Sequence, residues 1–287
     1  MRESSSRGAG RLERQGNVMD RPAWAPEGVD MQHPSPARMY DALLGGSHNF
    51  AVDRMAAEMA IKLVPDLPRL ALSNRAFLRR AVRFMVEAGI RQFVDIGSGI
   101  PTAGNVHEIV HELDPEARVL YIDIDPVAVV HSRTILSGNE RAGAIEADLR
   151  EPEALLAAVR KTGLIDFTQP VGLLLIAVLH LVADEDDPAG KVAALRAAVT
   201  PDSYIAISHL SSESRPEDAG KLGSHSVNET KVGIHFRDKA AITEMFQGWD
   251  MVDPGVVELP SWRPESERDQ HEQPGRSLGL AGVARKG

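Results

Sequence analysis

The sequence contains no cysteine, few aromatic residues and no long apolar run. The absence of cysteine excludes disulfides, thiolate zinc sites and a cysteine nucleophile. Aromatic residues make up only 5% of the 287 residues, and they do not interleave with a basic patch of the kind that binds nucleic acid. The longest apolar run, Val171–Leu179, is much shorter than the ~20 residues that a membrane-spanning helix needs and is typical of a buried strand.

Positive charge is also scarce relative to negative charge. The chain has 32 Lys and Arg residues against 41 Asp and Glu residues, which gives a net charge of −9. An acidic chain is a poor candidate for non-specific binding to nucleic acid or to an anionic membrane. The first residues, MRESSSRGAGRLERQG, lack the apolar core of a signal peptide. We therefore expect a cytoplasmic protein without nucleic-acid or membrane partners.

Composition and hydrophobic period divide the chain into three parts. Residues 1–32 are rich in Arg, Ser, Gly, Glu and Pro and have no hydrophobic period, which predicts a disordered tail. Residues 33–90 contain three helical patterns. One lies before Gly45-Gly46, one lies after it, and the third runs from about Leu70 to Ala88. Residues 91–287 then alternate between predicted strands and predicted helices.

This alternation predicts a parallel sheet covered by helices on both faces. The predicted strands are Phe93–Ile96, Arg118–Ile122, Ala142–Glu146, Val171–Val178 and Ser203–Ser208. Residues 211–233 are polar and predict a loop or a mobile insert. Two extended stretches, Met251–Leu259 and Ser277–Ala284, are joined by a polar loop and predict an antiparallel pair at one end of the sheet.

A glycine-rich turn follows the first predicted strand. Gly97, Ser98 and Gly99 come directly after the apolar strand, and a helix is predicted from about Thr102 to Leu113. Such a turn lets the backbone approach a nucleotide-like ligand closely. The dinucleotide fingerprint G-x-G-x-x-G requires a third glycine, and this chain has Thr102 at that position. The departure favours a smaller nucleoside ligand over NAD.

Polar side chains follow the next three predicted strands. Asp123 ends the second strand, where a carboxylate accepts hydrogen bonds from the ribose diol of NAD or S-adenosylmethionine. Asp148 follows the third strand and His180 follows the fourth. Because ligands of open α/β sheets lie across the carboxyl ends of the strands, we expect Gly97, Asp123, Asp148 and His180 to surround one crevice.

Three motifs occur in order along the chain: DIGSG, YIDIDP and EADL. This set resembles the class I S-adenosylmethionine-dependent methyltransferases. More narrowly, SPARMYDALLGGSHNF, NRAFLRRAVRF, FVDIGSGIPTAGNVHE and LLLIAVLHLVADEDDP together resemble an actinobacterial S-adenosyl methyltransferase family over about residues 34–287. The resemblance implies a Rossmann-like three-layer α/β sandwich with a seven-stranded, mostly parallel sheet and an antiparallel last strand. It also implies an N-terminal helical lid at residues 33–90, a methyltransferase domain at residues 91–287 and S-adenosyl-L-methionine as cofactor.

The cofactor site is expected to combine residues of the lid with residues at the strand ends. They are Tyr40, Asp95, Gly97, Ser98, Gly99, Asp123, Ile124, Asp148, Leu149 and Ala177. Asp123 is expected to bind the ribose, Asp148 the adenine amine, and Leu149 the face of the adenine ring. An arginine of the third helix, Arg75 or Arg79, is a candidate for the carboxylate of the cofactor.

His180 is the candidate catalytic residue. A methyl acceptor that must lose a proton needs a base, and histidine suits that role near neutral pH; contact with the cofactor or substrate, or a structural role, remain alternatives. We expect a small-molecule acceptor and no metal site, since Asp184–Asp187 resembles a negatively charged helix N-terminus. Two other functions remain open: a regulatory protein that binds S-adenosylmethionine or S-adenosylhomocysteine without catalysis, and a nicotinamide-dependent oxidoreductase.

Overall fold

A central β-sheet carries helices on both faces, as the alternation of strands and helices predicts. The computed structural model describes residues 21–101, 104–229, 232–265 and 277–287. The strands are β1 (Gln92–Ile96), β2 (Arg118–Asp123), β3 (Ala142–Glu146), β4 (Gly172–Ile176), β5 (Tyr204–Leu210), β6 (Asp250–Met251), β7 (Val257–Glu258) and β8 (Gly279–Arg285). The helices are α1 (Pro36–Leu43), α2 (Ala51–Leu63), α3 (Leu67–Glu87), α4 (Val106–Leu113), α5 (Pro126–Ile135), α6 (Pro152–Thr162), α7 (Pro188–Ala198), α8 (Pro216–Glu229) and α9 (Lys239–Glu244).

The strand order of the sheet is β3-β2-β1-β4-β5-β8-β6, and β7 also pairs with β8. Strands β1 to β5 are parallel, whereas β8 runs antiparallel to β5, β6 and β7. The Rossmann-like sheet with an antiparallel last strand is therefore confirmed. It has eight strands because a turn at residues 253–254 divides the predicted strand Met251–Leu259 into β6 and β7. The strand order reverses between β1 and β4, which is where open α/β sheets bind ligands.

Apolar side chains of the strands alternate between two cores. On β1, Val94 and Ile96 belong to the core that includes α6, α7 and α9. Phe93 belongs to the core on the other face, with α3 and α4. Because side chains alternate along a strand, Asp95 lies on the same face as Phe93. Burial of this apolar surface on both faces, at about 25 cal/mol per Å², holds the strand ends in fixed positions.

Helix α8 differs from the prediction. Residues 211–233 were expected to form a loop, and this expectation is wrong for Pro216–Glu229. Ala219 and Leu222 of this helix are buried in a small core with Ala60 of α2. So few apolar side chains leave no clear hydrophobic period in the sequence, although they suffice to pack the helix against α2.

Residues 21–32 also differ from the expected disordered tail. Trp24 stacks on Phe50 with 5.1 Å between ring centroids, and Ala25 is buried. The rest of the predicted tail, residues 1–20, lies outside the described residues, as does Thr102 at the predicted start of α4. In the part of the chain that is described, no helix combines the length and apolar character needed to cross a bilayer.

Candidate active site

The glycine turn after β1 has one packed side and one open side. The backbone N–H groups of Gly97 and Ser98 donate to the carbonyl of Ile122, at 2.8 and 3.0 Å. Both glycines have positive φ, 70° at Gly97 and 65° at Gly99, a conformation that favours glycine. A Cβ on Gly97 would overlap the Val178 side chain, whereas a Cβ on Gly99 would meet open space. Gly97 thus serves packing, whereas the space around Gly99 is open.

Asp123 is held beside this turn by backbone donors. Its carboxylate accepts from the N–H of Gly99 at 2.7 Å and from the N–H of Asp125 at 2.8 Å. The residue is buried, and burial raises its pKa to about 6, with backbone hydrogen bonds acting against that rise. The carboxylate has further acceptor sites for a ligand, since two oxygens together offer about four lone pairs.

Asp95 and Arg75 form a second charged group near the same turn. Burial raises the pKa of Asp95 to about 7; the charge of Arg75 opposes this rise and that of Asp123 adds to it. Arg75 also donates from Nη2 to the carbonyl of Gly104, at 2.7 Å. Helix α3 therefore brings a guanidinium to the loop that follows β1.

Tyr40 and Ala177 are joined by a chain of hydrogen bonds that runs from α1 through α3 to the sheet. Asn74 of α3 donates from Nδ2 to the Tyr40 hydroxyl at 2.9 Å. Its Oδ1 accepts from the hydroxyl of Ser208 at 2.6 Å, and this hydroxyl accepts from the N–H of Ala177 at 2.9 Å. Ala177 has a φ of 57°, so these bonds hold a strained backbone directly after the carboxyl end of β4.

The expected cofactor residues that follow β2 and β3 have mixed surroundings. Ile124, next to Asp123, is 55% exposed. Leu149 is buried within the apolar core. Arg150 binds the Asp148 carboxylate with a closest contact of 2.6 Å. Burial alone would raise the pKa of Asp148, but the bonds to Arg150 outweigh it and lower the pKa.

His180 lies just beyond β4, in a short 3-10 turn (Leu179–Leu181). Its ring is nearly perpendicular to that of His209, with 5.7 Å between centroids. Its Nδ1 is buried and has no hydrogen-bond partner among the described residues. Burial, followed by the effects of His209, Arg237 and His235, lowers the pKa of His180 well below its usual range. The imidazole is therefore neutral at physiological pH.

Sequence reasoning missed two residues of this region, Ser208 and Arg237. Ser208 left a weak signal, because it is a small polar residue that follows the apolar residues Ile205–Ile207 of strand β5. Arg237 left none. Arg79, the alternative to Arg75, instead pairs with Glu265 at 3.4 Å and is 46% exposed.

The second glycine of the pair Gly45-Gly46, between α1 and α2, has a packing role that the sequence did not reveal. In the structure, a Cβ on Gly46 would overlap the buried carboxylate of Asp41. That carboxylate accepts from the N–H of His48 at 2.9 Å and from Asn49 Nδ2 at 2.7 Å. The glycine thus makes room for the side chain that organises the α1–α2 connection.

A sequence family described as S-adenosyl methyltransferase matches residues 22–287. The chain belongs to this S-adenosyl methyltransferase family. The methyltransferase is 38% identical to a candidate methyltransferase from Thermobifida fusca YX of known crystal structure; the match covers 92% of this chain and 99% of that one, with a TM-score of 0.86. A crystal structure of a DUF574 family protein from Streptomyces avermitilis is 34% identical, with coverage of 90% and 99% and a TM-score of 0.86.

A more distant structure is similar in fold alone. An O-methyltransferase family protein from Burkholderia thailandensis is 12% identical, covers 82% of this chain and 71% of its own, and has a TM-score of 0.51. A search of curated proteins found no match. The family and the fold inferred from the motifs are confirmed, and the chain is an enzyme that uses S-adenosylmethionine.

Proposed function

We propose that the methyltransferase binds S-adenosylmethionine across the carboxyl ends of β1, β2 and β4 and methylates a small molecule. The observation that carries this proposal is the position of the Asp123 carboxylate. Two backbone N–H groups hold it at the end of β2, beside the open side of Gly99. A carboxylate at this point of an α/β sheet accepts both ribose hydroxyls.

The adenine lies against Ile124 in this proposal. Ile124 is a large apolar side chain exposed directly beside Asp123, and exposed apolar surface in a crevice is typical of a ligand contact. Asp148 accepts from the adenine amine with the lone pairs that Arg150 leaves free. Leu149 packs beneath the base from the core side.

The methionine end of the cofactor lies between the lid and β1. Its carboxylate pairs with Arg75, a geometry for which a guanidinium is well suited. Its ammonium lies near Asp95, whose ionised form a cationic ligand stabilises. Tyr40 closes this end from α1, and the backbone of Ala177 closes it from β4.

The methyl acceptor approaches near His180. A lone pair of the acceptor atom forms a bond to the methyl carbon while the bond from sulfur to that carbon breaks. The electron pair remains on sulfur, and S-adenosylhomocysteine is released. Most of the rate enhancement comes from in-line positioning. An acceptor that must lose a proton transfers it to the neutral His180 imidazole.

Methyl-labelled S-adenosylmethionine and fractionated actinobacterial small-molecule extract test this function. We expect label in at least one small molecule, equimolar S-adenosylhomocysteine, and loss of both in Asp123→Ala. Replacement of His180 by Gln is expected to lower kcat by about 10²- to 10⁴-fold; an unchanged kcat removes its role as base.

Binding and thermal-protection measurements beside the labelling assay distinguish the alternatives. Tight binding of S-adenosylhomocysteine without any transferred label would favour the regulatory protein. Thermal protection by NAD, without protection by S-adenosylhomocysteine, would favour the oxidoreductase.

A further inference from the structure

A single buried guanidinium holds the turn that carries His180. Arg237 is 8% exposed. It donates from Nη1 to the carbonyl of Leu179 at 3.1 Å and from Nη2 to the carbonyl of Val182 at 2.8 Å. These carbonyls lie on either side of His180. The N–H of His235 adds a third bond, to the carbonyl of His180 itself at 2.8 Å.

Arg237 also determines the state of the neighbouring imidazole. Its Nη1 lies 2.9 Å from Nε2 of His209, and Nδ1 of His209 lies 2.7 Å from the carbonyl of Leu210. A guanidinium only donates and a carbonyl only accepts. His209 must therefore carry its proton on Nδ1 and accept at Nε2, which makes it neutral.

The ring of His209 is the surface against which the His180 ring lies. A protonated or rotated His209 would place a charge or a misdirected N–H beside His180. Asp184 binds the outer side of Arg237, at 3.0 Å from Nε and 2.6 Å from Nη2, and its side chain is 79% exposed. The buried side of the Arg237 guanidinium thus has three acceptors, the two backbone carbonyls and Nε2 of His209.

We propose that Arg237 is a positioning residue for methyl transfer, which fixes both the backbone of His180 and the tautomer of His209 that supports its ring. This inference rests on the proposed role of His180. It also accounts for a buried cation whose inner hydrogen bonds all go to the surroundings of His180.

Long-range ¹H–¹⁵N correlation spectra of the imidazoles test this inference directly. In the wild-type protein, we expect His209 to show the Nδ1–H tautomer and a titration midpoint near its lowered pKa of about 4, set by burial and by the charge of Arg237. His209→Gln assigns the signal. The Nε2–H tautomer in the wild-type protein would overturn the proposal without any variant of Arg237.

The substitution Arg237→Met removes every donor while preserving much of the volume. We expect mixed tautomers of His209, a midpoint higher by about one pH unit, and altered His180 ring signals. Asp184→Asn is the matched control, because it removes only the charge of the outer acceptor, and it should leave the His209 tautomer unchanged. Unaltered His209 and His180 signals in a folded Arg237→Met protein would overturn the proposal.

Titration with S-adenosylhomocysteine separates this inference from the proposed function. Each variant is expected to bind it within about twofold of the wild-type affinity, since Arg237 lies outside the proposed cofactor contacts. Failure of the wild-type protein to bind would count against the cofactor site and leave the tautomer result standing. Normal binding of S-adenosylhomocysteine, together with unchanged imidazole signals in Arg237→Met, would count only against the positioning role of Arg237.

Discussion

Gly97 and Gly99 share one turn and one backbone conformation, yet their surroundings differ. Alanine at either position incurs about 1–2 kcal/mol of left-handed backbone strain. Only at Gly97 would the new methyl group also overlap Val178, which adds about 1–3 kcal/mol. We expect Gly97→Ala to lower the free energy of unfolding by about 2–5 kcal/mol and Gly99→Ala by the smaller amount.

Gly99→Ala should instead weaken binding of S-adenosylhomocysteine, because its methyl group points into the proposed site. Urea denaturation and titration calorimetry on both variants measure the two effects. Equal losses of stability in the two variants would contradict the different roles of the two glycines. Unchanged affinity of Gly99→Ala for S-adenosylhomocysteine would also contradict them.

Asp95 provides a prediction about pH. Its folded-state pKa of about 7 lies above the ordinary value of 3.8, so between these values the folded protein holds more protons than the unfolded chain. In the ligand-free protein, ionisation of Asp95 therefore lowers the free energy of unfolding as the pH rises from about 4 to 7. Asp123, whose pKa is raised to about 6, lowers it further as the pH rises to about 6.

The substitution Asp95→Asn removes this ionisation. We expect the ligand-free variant to be more stable than the wild-type protein at pH 8, by about 1–3 kcal/mol, and equally stable near pH 4. Urea denaturation across this pH range measures the difference. A variant that is less stable at pH 8 would show that the ionised carboxylate is well satisfied in the ligand-free protein.

At the scale of elements, Asn74 connects α3 to both α1 and β5. Replacing it with alanine leaves the Ser208 hydroxyl without an acceptor and the Tyr40 hydroxyl without a donor. We expect a loss of about 2–3 kcal/mol of stability. In a double-mutant cycle with Ser208→Ala, the two losses of stability should be non-additive by at least about 0.5 kcal/mol, because both substitutions remove the same hydrogen bond. Additive losses would mean that the bond contributes little.

The same elements show what local sequence patterns predict. The strand GLLLI of β4 is recognisable because a strand buried on both faces is apolar throughout. The bond between Ser208 and Asn74 joins residues 134 positions apart, so no short window contains both partners. Helix α8 was missed because it buries few apolar side chains, and Arg237 because its partners come from separate segments. The positions of Gly97 and Asp123 at the strand ends could be predicted because one strand–turn segment determines each of them.

At the scale of the whole molecule, helices α1 and α2 share a buried ion-pair cluster with the start of α5. Arg38 of α1 binds the carboxylate of Asp53 at 2.9 Å and that of Asp125 at 3.2 Å. It also donates to the carbonyls of Asp30 and His33, at 3.1 and 2.8 Å. Asp125 caps α5, two residues after Asp123, so the N-terminal region is fastened next to the proposed ribose site.

The substitution Arg38→Met leaves two buried carboxylates without their counterion. We expect a loss of about 3–5 kcal/mol of stability. Arg79→Met is the matched control, since it removes a surface ion pair with Glu265 that contributes about 0–1 kcal/mol. Urea denaturation measures the free energy of unfolding of both variants. Similar small losses would contradict the idea that this cluster holds the N-terminal helices in place.

We propose that the carboxyl end of β2 binds the ribose of S-adenosylmethionine through Asp123. Titration calorimetry with S-adenosylhomocysteine tests it most directly, with Glu265→Gln as a folded surface control. We predict one site per chain in the wild-type and control proteins, and affinity at least about tenfold lower in Asp123→Asn, which replaces a charged acceptor with a neutral amide. No binding by the wild-type protein, or unchanged affinity in a folded Asp123→Asn protein, would contradict the account.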